Sequence, residues 1–159
     1  IKGEIQEMED NGARKRSAAY PLEIPYRLIN MYSTQGDVVL DPFLGTGTTN
    51  VAAMCALRHS VGYELKSELI EEFQDEVKSV PETSEKMNQQ RLRKHRKFVE
   101  ERCAEGNEFD YQANNYDFPV TTQQERDIQF YSVDTVSREE RRERHELYLC
   151  QHREFEESE

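Results

Sequence analysis

The chain has 159 residues, of which 35% are hydrophobic and 33% charged, and it contains no Trp. This length suits one domain with a modest core, and no apolar run approaches the roughly 20 residues of a membrane-spanning helix. The formal net charge of −11 argues against nucleic-acid binding by the chain as a whole, because phosphate repels an acidic surface.

The first residues predict a connecting segment rather than a folded element. Residues 1–16 are polar, mixed in charge and contain the turn signal Asn11-Gly12. They begin without an initiator Met or a signal-peptide pattern, so we expect a linker or the tail of an upstream segment. Pro25 then favours the first turn of a helix that ends near Gln35-Gly36.

The clearest pattern follows that helix. Val38–Leu40 is a short apolar run that predicts a buried parallel strand, and a Gly-rich loop comes next. Thr48–His59 predicts a helix, Ser60–Glu64 a second strand, and Leu65–Val80 an amphipathic helix that Pro81 closes. The order strand, loop, helix, strand, helix indicates an α/β fold with a right-handed crossover.

The second half of the chain has weaker patterns. Ser84–Glu105 predicts a long helix with the basic run Arg91–Lys97, which is either a phosphate contact or a solvated helix face. Gly106–Pro119 predicts a loop and Asp127–Val133 a strand. Ser137–His152 predicts a charged helix held by intrahelical ion pairs.

These elements suggest three segments. We expect a linker over residues 1–16, an α/β core over residues 17–81, and a charged helical extension over residues 82–159 that can add one strand. The three cysteines, Cys55, Cys103 and Cys150, are far apart. Isolated thiols predict small buried side chains in a reducing cytoplasm, without disulfides or a metal site.

The Gly-rich loop has the features of a nucleotide-binding site. Gly45 and Gly47 lack a Cβ, so the backbone can turn tightly and approach a ligand closely. The next helix begins at Thr48 and directs its free N–H groups toward that ligand. Glu64 ends the second strand, where a carboxylate accepts hydrogen bonds from a ribose diol.

The details of the loop disfavour a polyphosphate ligand. Position 50, where a dinucleotide fingerprint has its third glycine, is Asn50, and no Lys follows Gly47 as in a triphosphate-binding loop. Asp41 at the end of the strand would repel a polyphosphate, but it suits a cationic ligand such as S-adenosylmethionine, which carries an ammonium and a sulfonium. The alternative role for Asp41 is to brace the loop or cap the helix.

The string Asp41-Pro42-Phe43-Leu44-Gly45-Thr46-Gly47-Thr48-Thr49 resembles the cofactor-binding motif of DNA N6-adenine and N4-cytosine methyltransferases. Tyr20–Pro25 and Gly36–Leu40 upstream, and Val61–Glu64 downstream, are similar to neighbouring motifs of that family in order and spacing. The resemblance covers residues 17–75. It implies part of a Rossmann-like S-adenosylmethionine-dependent methyltransferase sheet, with DNA as substrate, as in restriction–modification.

The resemblance also implies the residues that bind S-adenosylmethionine. Asp41 would hold the methionine ammonium and Glu64 the ribose hydroxyls. Other residues of the motif, of which Pro42 is also part, would wrap the methionine part (Phe43, Gly45, Gly47), or hydrogen-bond near its carboxylate and cap the helix (Thr46, Thr48, Thr49). The remaining residues would flank the adenine (Tyr63, Leu65) or close the pocket (Tyr20, Pro21, Ile24).

The sequence departs from the family at its catalytic motif. That motif is an Asp/Asn/Ser-Pro-Pro-Tyr/Phe tetrapeptide, whereas this chain has no Pro-Pro dipeptide and Asn115–Pro119 has similar residues in the wrong order. In the subgroup with this motif order, the tetrapeptide lies upstream. We therefore expect no catalytic residue here, a chain that is inactive alone, and catalysis from a preceding segment or a partner chain.

Two other functions stay open at this point. One is a non-catalytic, cofactor-binding scaffold that pairs with a catalytic partner. The other is an RNA or small-molecule methyltransferase on the same fold.

Overall fold

The computed structural model describes residues 20–139 and 145–157. They form two compact units that meet in sequence between Val80 and Pro81. The helices are α1 (Glu23–Tyr32), α2 (Thr48–Cys55) and α3 (Ser67–Ala104), and a 3-10 turn covers Gln123–Asp127. The strands are β1 (Val38–Asp41), β2 (His59–Gly62), β3 (Tyr111–Gln112), β4 (Pro119–Val120), β5 (Tyr131–Glu139) and β6 (Leu147–Glu154). The linker expected over residues 1–16 lies outside the described residues.

The first unit contains the predicted parallel strand pair. β1 and β2 run in parallel, with Val38 opposite His59 and Asp41 opposite Gly62. α2 packs against α1 and against β2, and its Ala52 is fully buried. Small side chains let a helix approach a strand closely, so the α/β character expected for this segment is confirmed.

Among the described residues, the sheet of the first unit is covered on one face only, which corrects the prediction of a buried first strand. Side chains alternate along a strand, and Val38, Leu40 and Val61 are 66%, 62% and 44% exposed. Parallel strands are normally covered on both faces. The apolar run was therefore identified correctly as a strand, but its second layer is not formed by the described residues.

Pro81 does not end a helix as the sequence predicts, because α3 continues through it from Ser67 to Ala104. A proline inside a helix removes one hydrogen bond and crowds the preceding turn, at a cost of about 3 kcal/mol. Val77, Val80 and Ser84 beside it are buried. Burial of side chains along the helix therefore outweighs the preference of proline to end a helix.

The charged helix predicted over Ser137–His152 is wrong, because β5 and β6 form an antiparallel hairpin. β5 begins before the predicted helix, and its β-branched Val133 and Val136 favour a strand that continues to Glu139. Arg138 pairs with Glu146 across the hairpin at 2.9 Å. The charged residues that predicted intrahelical ion pairs thus include a pair that forms between two strands.

The residues after α3 form a packed core of their own and not a helical extension. A cluster of buried side chains joins the helix to the strands and their loops: Leu92, Ala113, Tyr116, Phe118, Val120, Phe130 and Phe155. The Tyr116 hydroxyl accepts a hydrogen bond from the Phe130 backbone N–H at 2.9 Å and donates to the Phe155 carbonyl at 3.3 Å. Burial raises the pKa of Tyr116, so the hydroxyl keeps the proton that it donates to the Phe155 carbonyl.

Candidate functional site

The Gly-rich loop (residues 42–47) is fastened to the end of β2. The Tyr63 N–H donates to the Asp41 carbonyl at 3.0 Å, and the Leu44 N–H donates to the Tyr63 carbonyl at 2.9 Å. A further bond from the Gly47 N–H to the Leu44 carbonyl, at 2.9 Å, closes the turn before α2. The loop and the residue after Tyr63 therefore meet at the carboxyl edge of the sheet, where α/β folds bind ligands.

Glu64 lies at the centre of this edge, and backbone groups orient both of its carboxylate oxygens. Oε2 accepts a hydrogen bond from the Gly45 N–H at 3.0 Å. Oε1 accepts from the Leu65 and Lys66 N–H groups at 2.9 Å and 3.0 Å. The carboxylate thus bridges the Gly-rich loop and the segment that leads into α3, which fixes its direction before any ligand binds.

One carboxylate oxygen of Asp41 is used within the loop and the other is not. Its Oδ1 accepts a hydrogen bond from the Phe43 N–H at 3.0 Å, so the side chain braces the Gly-rich loop. Within the described part of the chain, no hydrogen bond reaches Oδ2. The carboxylate is partly exposed, so this second oxygen is accessible to a cationic group.

The first turn of α2 presents backbone N–H groups at the same loop. Gly45 and Gly47 have positive φ angles of 58° and 81°, which only glycine adopts at little cost. These two residues turn the chain into α2, whose first residues Thr48 and Thr49 have N–H groups without an intrahelical acceptor. Such N–H groups favour an anionic group such as a carboxylate.

Three of the predicted cofactor residues expose large apolar side chains beside the Gly-rich loop and Glu64. Phe43, Tyr63 and Leu65 are 86%, 63% and 102% exposed. Leu65 directly follows Glu64 in the chain. Grouped exposed apolar side chains are typical of a surface that contacts a ligand or another protein segment.

Tyr20 and Ile24 lie in an adjacent groove. They line a cavity of about 500 Å³ between α1 and the start of β1. The Tyr20 hydroxyl is 2.8 Å from the Thr49 Oγ1, so this hydrogen bond joins the groove to the first turn of α2. Pro21 is not part of the lining, whereas Pro25 is.

Sequence reasoning missed most of the groove. Its lining includes Leu28 and Tyr32 of α1 and Val38 of β1. Ile24, Leu28 and Tyr32 recur every four residues, a spacing that places them on one face of a helix. That spacing is the sequence signal that could have indicated an apolar face of α1 along the groove.

The basic run in α3 is largely occupied within the second unit. The Arg91 guanidinium lies 4.3 Å from the centre of the Phe130 ring. Arg96 and Lys97 pair with Glu157 and Glu101 at 2.6 Å and 3.6 Å. These contacts favour a structural role for the run over binding of phosphates.

The described residues also bear on metal and membrane binding. Across residues 20–139 and 145–157, no group of three or more His, Cys, Asp or Glu side chains could hold a metal ion. In the same residues, no helix is both long and apolar enough to cross a membrane. Cys55 is buried as predicted, but Cys103 is exposed.

Residues 3–75 match the family described as DNA methylase, N6_N4_Mtase. The chain is 44% identical over 131 residues to the type II methyltransferase M.MthZI of Methanothermobacter thermautotrophicus, which is 82% of this chain and 36% of that protein. It is 58% identical over 55 residues to the type II methyltransferase M.MjaI of Methanocaldococcus jannaschii, which is 35% of this chain and 18% of that protein. The predicted resemblance to DNA amino-methyltransferases is thereby confirmed.

A solved structure is also similar to part of the chain. It is a candidate DNA modification methylase of Thermus thermophilus in complex with S-adenosyl-L-methionine, with 44% identity over 39% of this chain and 26% of that chain. The TM-score is 0.38, which is too low to assign the fold. The chain spans about a third of the length of M.MthZI.

Proposed function

We propose that this chain, whose residues 3–75 resemble the DNA methylases, is the S-adenosylmethionine-binding part of a DNA methyltransferase. The complete protein would methylate the exocyclic amine of adenine at N6 or of cytosine at N4. The observation that carries the proposal is the carboxyl edge of the β1–β2 sheet, where Asp41, the Gly-rich loop and Glu64 come together.

The groups at this edge suit the charges of S-adenosylmethionine. Asp41 would attract the ammonium of the methionine part, and the N–H groups at the start of α2 would bind its carboxylate. Glu64 would accept hydrogen bonds from the ribose hydroxyls, and Tyr63 and Leu65 would flank the adenine. When bound, the cofactor supplies the methyl group. Two carboxylates at one edge would repel a polyphosphate.

The remaining residues of the motif would shape the same pocket. Gly45 and Gly47 allow the backbone to approach the methionine part, and Phe43 would cover it. Tyr20 would hold the first turn of α2 through Thr49, to which it is hydrogen-bonded at 2.8 Å. Five further residues belong to this proposal through the motif or the pocket wall: Pro21, Ile24, Pro42, Thr46 and Thr48.

The sheet in this chain would be one part of a larger Rossmann-like sheet. Among the described residues β1 pairs with β2 alone, so its other edge is open. The exposed Val38, Leu40 and Val61 lie on a face that parallel sheets normally bury. Segments of the complete protein outside this chain would add strands beside β1 and helices over this face. This arrangement agrees with the length of M.MthZI, which is about three times that of the shared part.

Leu40→Ser tests this missing layer. In this chain alone the substitution should change the free energy of unfolding little, since Leu40 is 62% exposed. In the complete protein it should cost about 2 kcal/mol, because a buried leucine would lose its apolar contacts. Urea denaturation of both proteins measures the difference. Met31→Ser on α1, 69% exposed, is the control, and equal effects of Leu40→Ser in both proteins would contradict the arrangement.

A methyl-transfer assay with the complete protein tests the function itself. With labelled S-adenosylmethionine and DNA, we expect label in N6-methyladenine or N4-methylcytosine after digestion, and none in an RNA substrate. Transfer to RNA alone would instead identify an RNA methyltransferase. Cofactor binding without transfer to either nucleic acid would favour the scaffold function.

A further inference from the structure

Phe73 of α3 lies directly against the Gly-rich loop. Its side chain is 5% exposed. A Cβ placed on Gly47 would lie 2.0 Å from the Phe73 Cδ2, 2.5 Å from its Cε2 and 2.9 Å from its Cγ. These distances are far below van der Waals contact, so the ring occupies the space that any side chain at position 47 would need.

A second contact holds the other side of the loop. At Gly62 the corresponding Cβ would lie 2.6 Å from the Leu44 Cδ1 and 3.1 Å from the Asn50 Nδ2. Leu44 of the Gly-rich loop therefore packs onto the end of β2 where Gly62 leaves room. The loop is thus held between β2 and α3, with the Phe73 ring against Gly47, the residue just before α2.

From these contacts we infer that Phe73 is a positioning residue for the cofactor. Gly45 and Gly47 both adopt left-handed backbone angles, and glycine has the largest conformational freedom to lose. A rigid aromatic ring against Gly47 limits that freedom and sets the position of the N–H groups at the start of α2. This inference rests on the proposed function, in which those N–H groups bind the methionine carboxylate.

The position of Phe73 predicts a selective effect on ligand binding. Adenosine has the ribose that Glu64 would hold but lacks the methionine part. Loss of the ring should therefore weaken S-adenosylmethionine binding about tenfold and adenosine binding less than twofold, because small displacements of binding groups have large effects. A residue that only stabilises the fold would affect both ligands equally.

The experiment compares Phe73→Ala, Phe73→Leu and Val77→Ala in the complete protein by calorimetric titration with each ligand. Val77 is buried on the same helix, one turn later, with 4% exposure. We expect Phe73→Ala to lower the preference for S-adenosylmethionine, Phe73→Leu to lower it less, and Val77→Ala to leave it unchanged while lowering the Tm. Equal weakening of both ligands by the Phe73 variants, or no weakening, would overturn the inference.

A double-mutant cycle supplies a second readout. Gly47→Ala should weaken S-adenosylmethionine binding several-fold more in the wild-type background than in the Phe73→Ala protein, where the ring no longer clashes. Equal effects in both backgrounds would overturn the inference. If the wild-type protein binds no S-adenosylmethionine, both the proposed function and the inference about Phe73 fail. If the wild-type protein binds it but the Phe73 variants do not change the preference between the two ligands, the inference alone fails.

Discussion

Glu64→Ala is expected to weaken S-adenosylmethionine binding by roughly 100-fold or more. Two hydrogen bonds from ribose hydroxyls to a carboxylate would be lost, each worth about 1.5–3 kcal/mol. The substitution also removes the hydrogen bonds that the carboxylate accepts from the N–H groups of Gly45, Leu65 and Lys66. The loop would therefore lose part of its alignment, and calorimetric titration of the variant measures the sum of both effects.

Two further variants separate these contributions. Glu64→Gln keeps one acceptor oxygen but replaces the other with an N–H donor, so we expect an intermediate loss of affinity. Glu68→Ala removes the same charge from an exposed position in the first turn of α3 and should leave the affinity within twofold. An unchanged affinity in Glu64→Ala would contradict the role assigned to this carboxylate.

Phe155→Ala is expected to destabilise the second unit by about 3–5 kcal/mol. Phe155 is 2% exposed and belongs to the buried cluster of residues 81–157. Its carbonyl accepts the hydrogen bond of the Tyr116 hydroxyl, and its N–H donates to the Phe130 carbonyl at 2.9 Å. Removing the ring would leave a cavity next to this hydrogen-bond network.

Urea denaturation followed by circular dichroism measures the loss. Phe98→Ala, at a side chain that is 41% exposed, should cost less than about 1 kcal/mol. A loose helical extension has no enclosed core, so in that case Phe155→Ala would have no larger effect than Phe98→Ala. That result would contradict a separately packed second unit.

The part of the fold with strong local signals was predictable from sequence. Val38–Leu40 is apolar and includes two β-branched residues, the two glycines of the loop interrupt any regular element, and Thr48 begins a run of small residues. Each signal depends on residues adjacent in sequence, and the parallel pair β1–β2 follows from their order. The predicted bounds differ from the observed ones by a few residues, as at the end of α2.

The hairpin β5–β6 and the course of α3 depend on contacts between distant residues. In sequence, the alternating charges of residues 138–146 fit a helix as well as a hairpin, and the pairing of β5 with β6 decides between them. Pro81 has an unfavourable local preference that the burial of its neighbours outweighs. The helix and strand propensities of single residues do not include the energies of such contacts between distant residues.

The candidate site was likewise predictable from sequence only in part. The position of Asp41 and Glu64 at the carboxyl edge was predictable, because residue type and place at the end of a strand suffice to assign a carboxylate to that edge. The Phe73 contact with Gly47 joins residues 26 positions apart, and in sequence Phe73 was one more apolar residue on an amphipathic helix. Packing of the loop against α3 is visible only in three dimensions.

The most direct test of the central claim is a calorimetric titration of this chain with S-adenosylmethionine and, separately, with NAD. We expect saturable binding of S-adenosylmethionine at one site per chain and no binding of NAD, since the two carboxylates of the carboxyl edge would repel a pyrophosphate. Binding of NAD, or no binding of S-adenosylmethionine, would contradict it.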